Sequence, residues 1–137
     1  MEKENTIIFY VNQKANKQQI KDAFNRNDEF KGDIYEGEWK NDQKEGKGIY
    51  YFNRNDEFKG DRYEGDYKND KPNGKGIYYY SNGDIYEGQF KDDAFDGCGI
   101  FYCNDGTREM GDYSKGKPIG KHIKLYTNGE FEDNDYE

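Results

Sequence analysis

Tyr35-Glu36-Gly37-Glu38-Trp39, followed by Gly46-Lys47-Gly48-Ile49, decides the fold of this chain. The pair returns as Tyr63-Glu-Gly-Asp-Tyr67 with Gly74-Lys-Gly-Ile77, and as Tyr86-Glu-Gly-Gln-Phe90 with Gly97-Cys-Gly-Ile100. Tyr35 to Tyr63 is 28 positions, and Tyr63 to Tyr86 is 23. A further 23 reaches Glu109, with Gly111, Tyr113, Gly120 and Ile123 in register. A fixed period of this length marks a repeat array, in which function belongs to a surface more than to a pocket.

Alternation sets the faces. In Tyr35 to Trp39 the Tyr, Gly and Trp share one side of an extended chain and the two Glu share the other, a half-buried strand pattern. In Gly46 to Phe52 glycines lead into alternating aromatics. Between these strands lie polar turn segments, Lys40–Glu45, Lys68–Asn73 and Lys91–Asp96. Turns such as Ser81-Asn-Gly-Asp84 and Asn104-Asp-Gly106 join one hairpin to the next. Glycine inside a strand costs roughly 0.5–1 kcal/mol relative to Ala. Its fixed recurrence here predicts that a neighbouring aromatic ring lies across bare backbone. Each buried ring offers about 1.5–3 kcal/mol, which outweighs the glycine cost.

The chain has 137 residues, which suits one domain. Only 31% is apolar while 18% is aromatic, so rings and not aliphatic side chains must make the core. The net charge of −8 is uneven: residues 1–23 carry +1 and the remainder −9. An acidic surface repels phosphate backbones, so no nucleic-acid partner is expected. Cys98 and Cys103 stand five apart on one expected strand, pointing to opposite faces, which disfavours a disulfide between them. With no signal peptide or long apolar run, the reading is cytoplasmic, with cytoskeleton or membrane association open.

The pattern Tyr-x-Gly-x-aromatic followed by Gly-x-Gly-Ile, at 35–50, 63–78 and 86–101, resembles the MORN (membrane occupation and recognition nexus) repeat family. The resemblance spans about residues 24–130. It implies an all-β, elongated, single-layer antiparallel sheet of tandem hairpins, and scaffolding by protein or lipid binding. The expected units are a half repeat 24–34, then repeats 35–62, 63–85, 86–108 and 109–130, with an acidic tail 131–137. The last repeat departs from the pattern, with Glu109 for the leading Tyr and His122 for the second Gly, as befits a capping repeat. The first full repeat is five residues longer than the next, and Phe24–Asp33 recurs identically as Phe52–Asp61.

Residues 1–23 stand outside the repeat and read as a strand over 5–11 and a short helix over 14–24. Asn5-Thr-Ile-Ile-Phe, Val11, Lys14-Ala-Asn-Lys17, Gln19-Ile-Lys21 and Ala23 are similar to the first strand and helix of the L twenty-three family of large-subunit ribosomal proteins. The rest of that fold and its basic RNA-binding surface are missing. The expected role is to cover the open first edge of the sheet.

No catalytic arrangement is readable. His122 is the single histidine and reads as a surface or capping residue. Asn25-x-Asn27-x-Glu29 with Glu36, and Asn53-x-Asn55-x-Glu57 with Glu64, imitate calcium loops but have Phe30 and Phe58 where the sixth-position glycine belongs. Cys98, Cys103 and His122 lack zinc spacing, so no metal and no cofactor are expected. The predicted function is a non-enzymatic scaffold. Its partner-binding residues would be Trp39, Tyr50, Tyr67, Tyr78, Phe90 and Phe101, taking a protein partner with a basic or amphipathic segment. The competing readings are an anionic-lipid or phosphoinositide module, aided by Lys40, Lys44, Lys47, Lys68, Lys71, Lys75 and Lys91, and a regulatory subunit of a larger enzyme complex. A homodimer through the open sheet ends is also expected as an option.

Overall fold

Two-residue turns set the architecture. At 41–42, 69–70 and 92–93 both residues have positive φ, from 47° to 73°, and Lys115-Gly116 does the same at 49° and 82°. This is the backbone of a type I′ turn, whose twist matches that of the strands it joins. The Asn and Asp at these positions tolerate the left-handed region better than most residues. The computed structural model describes residues 32–137 and the backbone of 7–9. Four turns of this kind close four hairpins: β2 (Ile34–Lys40) with β3 (Gln43–Tyr51), β4 (Arg62–Lys68) with β5 (Lys71–Tyr79), β6 (Ile85–Lys91) with β7 (Ala94–Tyr102), and β8 (Arg108–Ser114) with β9 (Lys117–Leu125). β10 (Phe131–Tyr136) follows, and β1 (Ile7–Phe9) runs parallel beside β2.

The ten strands of the described residues form one sheet in sequence order, antiparallel from β2 to β10. The helix expected over 14–24, most of the half repeat 24–34 and the first calcium-like loop lie outside the described residues. The residues 131–137, expected as a solvated acidic tail, instead form β10 and pair with β9 from Phe131↔Leu125 to Tyr136↔Gly120. Tyr136 stands 23 positions after Tyr113, in the register of Tyr113 and Phe90, so the strand opens a fifth unit.

The loops joining hairpins hold five residues at 80–84, 103–107 and 126–130, but ten at 52–61, which locates the five-residue insertion. The short loops share one closure. Tyr80 N donates to Asp84 O (2.9 Å) and Gly83 N to Tyr80 O (3.0 Å), and Cys103 and Tyr126 begin the same pair of bonds. The long loop closes likewise at its ends, Phe52 N to Asp61 O (3.1 Å) and Gly60 N to Phe52 O (2.7 Å).

The two glycines of each Gly-x-Gly do different work. The second one makes room for a ring. Tyr35, Tyr63 and Tyr86 lie across the glycine pairs Gly37/Gly48, Gly65/Gly76 and Gly88/Gly99. A Cβ on Gly48, Gly76 or Gly99 would stand 2.4–2.8 Å from atoms of the tyrosine. Each hydroxyl donates to the backbone carbonyl three residues on: Tyr35 to Glu38 (2.8 Å), Tyr63 to Asp66 (2.7 Å), Tyr86 to Gln89 (3.0 Å). The first glycine of each pair, Gly46, Gly74 or Gly97, sits instead in a β-bulge with φ of 69–109°. There three residues of the longer strand face one residue of its partner. The side chain of that one residue (Glu38, Asp66, Gln89) closes the bulge by accepting from the backbone N of Lys47, Lys75 or Cys98. The expectation of one shared reason for both glycines is therefore corrected: one is removed bulk, the other is backbone conformation.

Among the described residues the buried hydrophobic ones are all aromatic: Tyr35, Tyr50, Tyr63, Tyr67, Tyr86, Phe90 and Tyr113. They lie on one face and, Tyr50 apart, meet edge to face, a geometry worth about 0.5–1.5 kcal/mol per pair beyond burial. The contacts run Tyr35–Tyr67–Tyr63–Phe90–Tyr86–Tyr113–His122–Tyr136, with centroid separations of 4.8–5.3 Å and interplanar angles of 71–89°. This spine joins β2 to β10 without a break. Replacing Gly76 by Ala forces Tyr63 off the backbone and is expected to cost about 1–3 kcal/mol, read as a lower urea midpoint with unchanged slope. A midpoint equal to that of the parent would show that the ring does not need the bare glycine.

Candidate binding surfaces and the repeat-four exchange

Two surfaces present themselves, one on each face of the sheet. The aromatic face carries the spine and beside it a second row, Tyr50–Phe52–Tyr78–Tyr80–Phe101, with centroids 4.7–6.0 Å apart and tilted rings. A groove of about 410 Å³ lies along these rows, with Arg54, Asp70 and Asp93 among its lining residues. The six sequence-predicted binding residues all belong to this face, but they differ in access. Tyr50, Tyr67 and Phe90 are buried; Trp39, Tyr78 and Phe101 are half-buried and present an accessible edge. Trp39 packs on Tyr35 at 5.8 Å, and the Lys44 ammonium sits 5.3–5.9 Å from the rings of Tyr35, Trp39 and Tyr50.

Aspartates two positions before each leading tyrosine hold the second row, a role the sequence reading missed. Asp33 is fully buried; it accepts from the Tyr50 hydroxyl (2.7 Å) and from the backbone N of Asn53 (2.9 Å) and Arg54 (3.0 Å). Asp61 repeats this with Tyr78 (2.6 Å) and Ser81 N (2.8 Å). Asp84 accepts from Asn104 N (2.8 Å), and Phe101 stands where the tyrosine hydroxyl would be. The signal was present as Gly-Asp-x-Tyr at 32–35, 60–63 and 83–86. Each clamp ties one hairpin to the loop that leads into the next, so it sets the spacing of the array as well as the ring.

Burial raises the hydroxyl pKa values of Tyr35, Tyr63 and Tyr67 above the ordinary phenol range. Tyr78 is raised by burial and by its hydrogen bond to Asp61. Tyr80 is pushed up to about 12 by burial and by the nearby charges of Asp61 and Asp84.

His122 is not a surface residue. It is fully buried, and its ring fills the place that a leading tyrosine fills in the other repeats. A Cβ on Gly111 would stand 2.2–2.5 Å from His122 ring atoms. Its Nε2 lies 2.8 Å from the Asp112 carbonyl, the same backbone position that Tyr35, Tyr63 and Tyr86 reach from the other strand. A carbonyl only accepts, so Nε2 carries the hydrogen. Glu109, in the leading-tyrosine position, lies 3.2 Å from Nδ1 and accepts from the Tyr136 hydroxyl (2.6 Å). Large and small have exchanged strands: Tyr with Gly in three repeats, Glu with His in the fourth. Repeat four is thus an internal unit holding β10, not a terminal cap.

The opposite face is polar and differently organised. One row across it reads Glu36–Ile49–Glu64–Ile77–Glu87–Ile100, and a second begins Lys47–Asp66–Lys75–Gln89–Cys98. Between them runs a groove of about 870 Å³ lined by the backbones of Gly37, Gly48, Gly65, Gly76 and Gly88. Both cysteines are free, Cys98 exposed on this face. Among the described residues no group of three His, Cys, Asp or Glu side chains is placed to hold a metal. Of the second calcium-like loop's candidates, Glu64 lines the polar groove from β4, on the sheet and not in the loop at 52–61.

The described residues have the geometry of a tandem-hairpin array, with one aromatic face and an open groove on each side. A family model describes MORN repeats at residues 35–57, 63–85 and 86–108, together half of the chain. The chain belongs to the MORN repeat family, whose repeats are non-catalytic modules of protein- and membrane-binding proteins. The ribosomal-protein-like residues lie outside the matched span and, save Ile7–Phe9, outside the described residues. No curated protein matches the chain. Among the described residues no helix is long and apolar enough to cross a membrane.

Two outcomes follow from the buried rings. In a cycle of Glu109→Tyr, His122→Gly and the double variant, the double variant should be more stable than either single one, with a coupling of about 0.5–3 kcal/mol. Additive losses in urea unfolding would show that the exchange is not reciprocal. The raised tyrosines also set an alkaline limit. The folded state holds these protons where the unfolded chain, with tyrosine pKa near 10, has lost them. Their contribution is full below about pH 10 and is lost as pH rises through the folded values. Stability by thermal melting should fall steadily between about pH 10 and 12; a flat profile there would contradict the burial of these hydroxyls.

Proposed function

We propose that this protein is a non-enzymatic scaffold that docks a protein partner on its aromatic face, the partner supplying an amphipathic segment with basic residues. The observation that carries this reading is the half-buried row Phe52, Tyr78, Tyr80 and Phe101 beside a groove whose rim bears Asp70 and Asp93. Rings with one packed side and one accessible edge are rigid and amphipathic, so they supply contact area at low entropic cost. The overall charge of −8 favours and speeds approach of a basic segment. Tyr50, Tyr67 and Phe90 then act beneath the surface, holding these rings in place.

A membrane surface is the competing partner. The lysines that would serve it are scattered: Lys44 is buried on the aromatic face, Lys47 and Lys75 line the opposite groove, and Lys40, Lys68, Lys71 and Lys91 alternate with acids and amides at the hairpin turns. A dispersed, acid-interleaved set draws anionic lipid weakly.

The test is selection of peptides from a displayed library on the full chain, repeated with a Tyr80→Ala/Phe101→Ala variant that leaves the buried spine intact. The selected peptides should combine apolar residues with Lys or Arg, and should lose about tenfold or more in affinity on the variant. Unchanged affinity would remove the aromatic face from the function. Salt-sensitive sedimentation with anionic vesicles, in the absence of any selected peptide, would move the function to the membrane.

A further inference from the structure

We propose that the polar face, opposite the aromatic one, holds an extended polyproline-II-like peptide that bears a basic residue at every third position. The groove there runs across the strands, along the axis of the array. Its walls are two rows of side chains two residues apart on each strand, so they stand about 6.6–6.8 Å apart. Its floor is glycine backbone, whose Cα atoms add nothing above the sheet on this side. An α-helix about 10–12 Å across would bridge both walls; a single extended chain is narrower and lies closer to the glycines.

The charge pattern selects among extended chains. Glu36, Glu64 and Glu87 recur every second strand, about 9.4–9.8 Å apart. Glu64 and Glu87 are exposed and alternate with Ile49 and Ile77. A polyproline II helix returns to the same side every three residues, about 9.3 Å. A β-strand returns every two residues, about 6.7 Å, and an α-helix in seven residues, about 10.5 Å, so neither keeps step. The floor's own amides and carbonyls are spent on the sheet ladder, which suits a ligand whose backbone makes no internal hydrogen bonds and remains solvated.

The other wall orients the ligand. Asp66 is engaged there by the Lys47 ammonium and by Lys75 N (3.0 Å). Lys47 and Lys75 balance Asp66 and Glu38, so that wall carries no net charge and the glutamate row is the acidic one. Basic groups on the ligand turn to the glutamate wall, and its apolar residues lie over Ile49, Ile77 and the glycines. This site shares no residue with the aromatic groove, so either can fail without the other.

The test uses the full chain and a fluorescein-labelled peptide of repeated Pro-Pro-Arg triplets, read by anisotropy. Two further peptides serve as comparisons: one of the same composition with its arginines clustered at one end, and one amphipathic helix with Arg at every seventh position. The triplet peptide should bind at least about fivefold more tightly than either, and should lose about five- to tenfold on Glu64→Gln/Glu87→Gln, with the melting temperature unchanged because both carboxylates are exposed. Tyr80→Ala/Phe101→Ala should leave its affinity unchanged. Equal binding of the clustered peptide, tighter binding of the helix, indifference to the glutamine variant, or loss on the aromatic variant would each overturn the assignment.

Discussion

A tyrosine ring lying on bare glycine backbone is the contact on which the rest of this structure depends. A single-layer sheet has no second layer to bury against, so its apolar groups must find cover within their own face. Tyr35, Tyr63 and Tyr86 lie across glycine pairs and are covered by rings of the same face, Tyr67 against the first two and Phe95 stacked on Tyr86 at 3.7 Å. The glycine pair costs about 1–2 kcal/mol in lost propensity, and the ring returns about 1.5–3 kcal/mol with a hydrogen bond to the backbone besides. The margin per repeat is small, which is why the rings are also joined edge to face from one hairpin to the next. Cooperation along the spine converts a series of marginal hairpins into one sheet.

That economy shapes the two surfaces. On the ring side the innermost aromatics are consumed by packing, and accessible edges remain on Trp39 and on most of the second row. Its position is held from below by Asp33 and Asp61, which bond a tyrosine hydroxyl and the loop amides of the following unit at once. On the other side the glycines leave a smooth floor between charged and aliphatic rows. The glycines make room for rings on one face, while the other face keeps a backbone floor because these positions point away from it.

Repeat four shows that the constraint is on volume and hydrogen bonding and not on residue type. Glu109 and His122 exchange the bulky and the small positions between strands, and the imidazole reaches the same carbonyl position as the tyrosines do. The exchange leaves Glu109 beside the last strand, where it receives the Tyr136 hydroxyl and joins β10 to the array. A departure from the pattern thus extends the sheet.

The repeat period, the hairpin order, the aromatic core and the family were legible in the sequence, because each depends on side-chain alternation and on glycine at fixed spacing. The faces of Tyr35, Gly37 and Trp39 follow from period two alone. What the sequence did not reveal depends on which atoms meet across strands. The division of labour within each Gly-x-Gly arises from a bulge, a mismatch between two strands that neither shows by itself. The burial of His122 required knowing that Gly111 lies beneath it. The residues 131–137 look like a solvated acidic tail because charge dominates their composition, yet Tyr136 completes the spine and backbone pairing needs no apolar side chain. Local pattern determined the strands and their order; only the folded sheet decided which rings are structure, which are surface, and which of its two faces offers a groove.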